Sequence, residues 1–216
     1  MMIFTICKFF TRVIFFLFYR LKTYGVKKNL IKGAAIVAAN HNSYFDPIAI
    51  ELSVRGCLYH LARSTLFSNP IVSWLQKQWG CYPIKRGEGN AGAFKAASHL
   101  FKKQKKLIIY PEGERSPTGE LLPGKIGVGL MAIKTGVPVI PVYIGGTYDI
   151  FNRHQKFPKL WKTITCVFGT PLTFNDLINN DSINKKEAYQ IATDRIMQKI
   201  AELKSWYENG CIDEVP

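Results

Sequence analysis

The 216-residue chain is predicted to fold as a single α/β domain, a largely parallel sheet flanked by helices, preceded by an N-terminal amphipathic membrane-interface helix. Three observations predict it. From residue 33 onward, short β-branched apolar runs alternate with helical patterns at the pitch of strand–helix–strand units. The runs 34–39, 107–110 and 137–144 are apolar at successive positions, as in strands covered on both faces. No internal repeat, low-complexity tract or linker interrupts the chain, and its length suits one core. The division follows: an amphipathic, membrane-associating segment at 1–32 and an α/β domain at 33–216.

Residues 1–20 are rich in aromatics, and their longest charge-free runs are seven residues, against the ~20 that span a bilayer. Basic residues continue past it with no small-residue cleavage site, which disfavours a signal peptide. At helical pitch Thr5, Lys8, Arg12, Arg20 and Thr23 share one arc and the remainder is almost wholly apolar. That pattern suits a helix in a membrane interface, with its basic residues at the headgroups. A terminal helix covering the core is the competing reading. Strands follow at 34–39, 57–62, 82–84, 107–110, 137–144 and 163–168. Helices alternate with them at 47–54, 70–78, 91–103, 128–134 (stopped by Gly136) and 185–207. Ligands of such a sheet collect at the carboxyl ends of its strands.

Charge narrows the partners. The formal net charge is +14, and no acidic residue precedes Asp46. The first 175 residues carry 24 Lys/Arg against 7 Asp/Glu, the remainder 5 against 8. Such asymmetry points to an anionic partner: a membrane surface, nucleic acid or phosphorylated substrates. The five cysteines are scattered without a C-x-x-C pair, which argues against a disulfide framework or zinc site and for a reducing compartment.

Chemistry-bearing residues gather in four blocks beside predicted strands. The first, Asn40-His41 to Asp46-Pro47, sets a group that ionises near neutrality five residues from a carboxylate. Asp46 before Pro47 also reads as a helix start, and the two readings coexist. The others are Gly80 to Gly87, with Ile84 and Arg86; Pro111-Glu112-Gly113-Glu114-Arg115-Ser116; and Val137 to Val142, with Pro138 and Pro141.

In this order and spacing the blocks resemble the glycerolipid acyltransferases of the lysophosphatidic acid acyltransferase type. That family's marks are N-H-x4-D, (I/V)-x-R, E-G-x-R-S and (V/I)-P-(V/I)-x-P-V. The resemblance runs from about Ala34 to Gly145, and Glu114 departs from the family's usual threonine. It implies acyl transfer from acyl-CoA or acyl carrier protein to the sn-2 hydroxyl of lysophosphatidic acid, giving phosphatidic acid. No cofactor beyond the acyl-thioester co-substrate is implied, and no metal. His41 is then the general base and Asp46 its orienting partner. Arg86 and Arg115 hold the substrate phosphate, and Glu112 and Gly113 line the acceptor pocket. The chemistry is coherent on its own terms. A thiolate leaves readily, with a thiol pKa of about 8.5, whereas the attacking alcohol needs a base in hydrogen-bond reach. Guanidinium offers phosphate a planar fork.

The implied partners are a lysolipid, an acyl thioester, an acyl carrier protein as one possible donor, and an anionic membrane surface, with no nucleic acid. The implied location is peripheral, on the cytoplasmic face of the inner membrane. Glu114 keeps open another lysophospholipid or a lyso-aminolipid as acceptor. The charge alone leaves a non-catalytic anion-binding module as a further alternative. Other motifs fall away. Gly119 to Lys125 has the glycine and lysine spacing of a phosphate loop, but Ile126 stands where Ser or Thr is required. No G-x-S-x-G occurs. Cys81 has no histidine in its block, and His60, His99 and His154 are isolated, leaving no metal cluster. The aromatic and basic residues at 151–162 suit a membrane-contacting or substrate-rim loop better than a single-strand binder.

Overall fold

A computed structural model of the chain describes residues 2–84, 89–180 and 182–216. The elements run α1 (Met2–Phe18), β1 (Tyr19–Tyr24), α2 (Val26–Asn29), β2 (Ala35–Ala39), α3 (Asp46–Ser53) and β3 (Tyr59–Arg63). A 3₁₀ turn (Ser64–Phe67) leads into α4 (Pro70–Gln78), β4 (Cys81–Ile84), α5 (Gly89–Lys102) and β5 (Lys106–Ile109). Then come α6 (Gly127–Thr135), β6 (Val139–Gly145), α7 (Thr147–Phe151), β7 (Lys162–Phe168), α8 (Asn175–Ile178) and α9 (Lys185–Glu208). Among the described residues the strands form one seven-stranded sheet, ordered β1-β7-β6-β2-β5-β3-β4. All neighbours are parallel except β6 and β7. The predicted α/β architecture is what the chain adopts.

The central strands are apolar throughout because both faces are covered. Every residue of β2 and of β6 is buried. On one face Ile36, Leu107, Val139 and Val167 pack under α5, α6 and α9, among them Leu100, Met131, Ile196, Ile200 and Leu203. On the other, Val37, Ala39, Ile108, Val142 and Phe168 pack against Ala49, Ile50 and Leu52 of α3 and Phe15 of α1. Local signals fix the helix ends. Asn69 accepts the amide protons of Ile71 and Val72 at the start of α4. Asn184 caps α9: its Oδ1 accepts the amide proton of Glu187, and its side-chain amide donates to the Glu187 carboxylate. Gly136, with φ of 64°, closes α6 as expected. Gly129 lets α6 and α9 cross closely, since a Cβ there would collide with the backbone carbonyl of Tyr189.

The N-terminal segment departs from expectation in two ways. The helix stops at Phe18, and Tyr19–Tyr24 joins the sheet as β1, paired with β7. Arg20 and Thr23 therefore leave the helical arc. Tyr19 is buried and Leu21 half-buried while Arg20 and Lys22 are exposed, a period-2 pattern that the neighbouring helical periodicity conceals. Two basic residues of α1 also bond to the end of α3. Lys8 Nζ sits 2.8 Å from Glu51 and donates to the carbonyls of Val54 and Gly56, while Arg12 donates to that of Leu52. These carbonyls lie at and just past the C-terminus of α3, where cations are favoured. Ile6, Phe9, Phe10, Val13, Ile14, Phe16 and Leu17 face outward.

Candidate active site

The site forms where β2 ends and the chain turns into α3. Asn40 anchors that turn to β6: it donates to the carbonyl of Ile144 and accepts its amide proton, at 3.0 and 2.7 Å. The next residue, His41, places Nδ1 2.8 Å from Asp46 Oδ2. Asp46 is fully buried at the first turn of α3, and its carboxylate turns back over the loop. Oδ2 also accepts the amide protons of Asn42 and Ser43, and Oδ1 accepts the hydroxyl proton of Thr147 at 2.6 Å. The α3 N-cap, Phe45, makes no side-chain cap bond. Asp46 thus organises the His41 loop rather than capping the helix. With Nδ1 facing a carboxylate, Nδ1 carries the proton and Nε2 is left basic, with no protein partner among the described residues.

The third block braces this histidine from the far side. Glu112 Oε1 accepts the amide proton of His41 at 2.8 Å, and Ser116 N–H donates to the carbonyl of His41 at 2.7 Å. Glu112 Oε2 accepts the amide proton of Leu122. Both oxygens therefore face backbone, and Glu112 is buried as a strut under His41 instead of lining the cavity. Desolvation raises its pKa, and the two amides oppose that rise. Gly113 has φ of 73°, and a Cβ there would come within 2.8 Å of the Lys125 side chain, so only glycine makes this turn without strain. Glu114, the family departure, lies 3.8 Å from Lys125 at the exposed rim.

Arg115 stacks its guanidinium 3.6 Å over the ring of Tyr44, and its Nη1 is buried without a hydrogen-bond partner among the described residues. A guanidinium N–H without an acceptor is a donor whose chemistry suits an anionic group. Arg86 lies outside the described residues. The fourth block forms β6 beside β2, with Pro141 opposite Ala38, and so delivers Ile144 to Asn40.

A cavity of about 960 Å³ opens at His41, Gly113 and Arg115. It continues between the sheet and α3, past Pro47 and Ile48, to Val72, Gln76 and Trp79 near α4. Sequence reasoning placed Asn40 in the first block without a role, and missed Thr147 and Tyr110. Tyr110 stacks on the His41 ring with centroids 4.0 Å apart and planes 17° apart. Its hydroxyl is buried and unpartnered among the described residues, and burial drives its pKa well up. Thr147 lies 101 residues from its partner, a separation no local pattern reveals. Burial also raises the thiols of Cys81 and Cys57, to about 11 and about 12, so neither is an activated nucleophile. Among the described residues no cluster of metal ligands occurs.

The comparisons with known proteins agree with this geometry. The family model described as Acyltransferase matches residues 20–145. The chain is 31% identical over 149 residues to a chloroplastic 1-acyl-sn-glycerol-3-phosphate acyltransferase of Brassica napus, covering 67% of this chain and 43% of that protein. It is 30% identical over 152 residues to a 1-acyl-sn-glycerol-3-phosphate acyltransferase of Saccharomyces cerevisiae, covering 64% and 50%. The chain thus spans half or less of these relatives' length. In fold it is similar to the crystal structure of the 1-acyl-sn-glycerophosphate (LPA) acyltransferase PlsC from Thermotoga maritima. The TM-score is 0.72 at 24% identity, over 94% of this chain and 80% of that one. With more than half its length matched by one family model, the chain belongs to the Acyltransferase family.

Proposed function

We propose that the protein transfers a fatty acyl group from acyl-CoA or acyl carrier protein to the sn-2 hydroxyl of lysophosphatidic acid, producing phosphatidic acid at a membrane surface. The observation that carries the reading is the His41 imidazole, held through Nδ1 by buried Asp46 while Nε2 is unpartnered at a cavity that also holds Arg115. The phosphate of the lysolipid binds Arg115, with Arg86 as the second partner that the family resemblance suggests. The donor acyl chain lies in the cavity beneath His41. Anchored at its phosphate, the lysolipid presents its hydroxyl to Nε2, a positioning that makes attack effectively unimolecular.

His41 Nε2 removes the hydroxyl proton as the oxygen attacks the thioester carbon. The C–O bond forms and the carbonyl π pair moves to oxygen; collapse of the tetrahedral intermediate breaks C–S. The thiolate departs with the proton that the imidazolium returns. Asp46 holds the productive tautomer and stabilises the imidazolium, as the carboxylate of a serine triad does. The substrate hydroxyl stands where that triad has its serine, so no acyl-enzyme forms.

Membrane attachment is peripheral on this reading, through the outward apolar face of α1. No described helix is long and apolar enough to cross a membrane. Five unpaired cysteines suit a cytoplasmic face. The deciding assay follows transfer of a labelled acyl group from its thioester to lysophosphatidic acid. His41→Ala is expected to lower the rate by about 10²–10⁴-fold. Equal rates in the variant and wild type remove His41 from the mechanism.

A further inference from the structure

One wall of the cavity is not explained by an alkyl chain. Most of its lining is apolar, including Pro47, Ile48, Val72, Ile108 and Ile109. His60 interrupts it. Tyr59 and Leu61 are partly buried against the core cluster that includes α5, although Leu61 also borders the cavity. The alternation of β3 therefore turns His60 to the opposite face of the sheet, where it lines the cavity. Register sets it beside Ile108 of β5 and Cys81 of β4. The described histidine ring bonds belong to His41 and His154, so neither nitrogen of His60 has a protein partner among the described residues. Enclosure lowers its pKa to about 4, which leaves the ring neutral at physiological pH. A neutral imidazole has one donor and one acceptor. Both lack a protein partner among the described residues, on a cavity lining that is mostly apolar but also holds Thr11 and Gln76.

We propose that His60 forms a polar subsite that receives a hydroxyl group carried mid-chain on the donor acyl group. The inference rests on the reading of the cavity as the donor's acyl site. A hydroxyl bonds either ring nitrogen, donating to the bare one or accepting from the protonated one, whereas a methylene can do neither. Depth assigns the position. His60 is level with Ile108, which is level with Val37 on β2, four residues before His41 and two strands away. At strand spacings this is about 16 Å between backbones. The subsite therefore faces the middle of a chain whose thioester carbon is at His41, not the carbons adjoining it. A site built to hydrogen-bond an oxygen substituent discriminates against the analogue lacking it more strongly than a greasy pocket discriminates among hydrocarbons.

The test is a competition between stearoyl-CoA and a stearoyl-CoA bearing a mid-chain hydroxyl, with lysophosphatidic acid as acceptor and product ratios read by mass spectrometry. Wild type should favour the hydroxylated donor, and His60→Leu should lower the ratio at least about fivefold. His60→Asn, which keeps a donor and an acceptor, should retain part of the preference. An unchanged ratio in His60→Leu overturns the subsite. If neither donor is used, the acyltransfer reading fails. The subsite is then decided separately, by displacement of a fluorescent fatty acid with stearic acid and its mid-chain hydroxy derivative. A hydroxyl preference lost in His60→Leu upholds it, and equal displacement ratios in the two proteins overturn it.

Discussion

Asp46 shows how much one buried carboxylate organises. It accepts from the His41 ring, two loop amides and the Thr147 hydroxyl, so the base, the loop and α7 meet on two oxygens. Asp46→Asn should therefore act on turnover more than on acceptor affinity. Its amide presents a donor where Nδ1–H needs an acceptor, and the precedent of the serine triad is a loss of about 10⁴-fold in kcat. Steady-state kinetics with lysophosphatidic acid read this directly, as a fall in kcat at nearly constant KM. His60 makes a different prediction, in stability. The unfolded chain binds a proton at this histidine below about 6.5, whereas the folded chain resists until about 4. The unfolded state thus holds more protons across that window, so the stability His60 confers is present above it and is lost as pH falls through it. The slope approaches about 1.4 kcal/mol per pH unit. Urea unfolding at pH 7 and pH 5 should show wild type losing more stability than His60→Leu. At this scale the sequence exposed His41, Asp46, Glu112 and Arg115, because each lies in a short block with local spacing. Thr147 and Tyr110 were hidden because their contacts are made by the fold. Glu112 was visible as a residue, yet only the coordinates show both of its oxygens committed to backbone.

At the scale of elements, α1 and α3 form a unit. Lys8 reaches the buried carboxylate of Glu51, whose other oxygen accepts the amide proton of Leu58. Burial raises the Glu51 pKa, and Lys8 opposes the rise. Breaking such a pair from one side leaves an uncompensated buried charge, costing about 3–5 kcal/mol, while replacing both members is far milder. Lys8→Met is therefore expected to destabilise the protein by about 3 kcal/mol. Lys8→Met combined with Glu51→Gln should recover most of that loss in chemical denaturation. Helical periodicity correctly grouped Thr5, Lys8 and Arg12 on one face of α1. Periodicity states which residues share a face, not what the face meets, and here Lys8 and Arg12 meet the end of α3. The same limit explains β1, whose six residues are too few to separate a period of 2 from a neighbouring period of 3.6.

At the scale of the whole molecule, α1 and the loop before β7 expose an apolar strip among the described residues. Phe16 is 83% exposed at the end of α1, and Trp161, 73% exposed, packs its ring against Phe18 and donates its backbone N–H to the carbonyl of Phe18. Phe157, 81% exposed, belongs to the same loop. With Lys8 and Arg12 engaged by the end of α3, retention on a bilayer by this strip should be chiefly apolar. Phe9→Glu or Phe16→Glu is expected to weaken vesicle co-sedimentation at least about tenfold, the scale of one buried aromatic. Raising salt should weaken it less than either substitution. The fold class was legible because strand–helix alternation is a whole-chain signal. The relation of the strip to the cavity was not, since it depends on how α1 docks.

That docking also sets the currency in which substrate is counted. If the proposed function and α1 attachment hold, the protein would meet the acceptor laterally, and its rate would follow the mole fraction of lysolipid in the bilayer rather than millimoles per litre of suspension. Adding inert phospholipid at a fixed amount of lysolipid dilutes the reaction in two dimensions. On the proposed membrane reading, the docked helix would make the bilayer the protein's solvent.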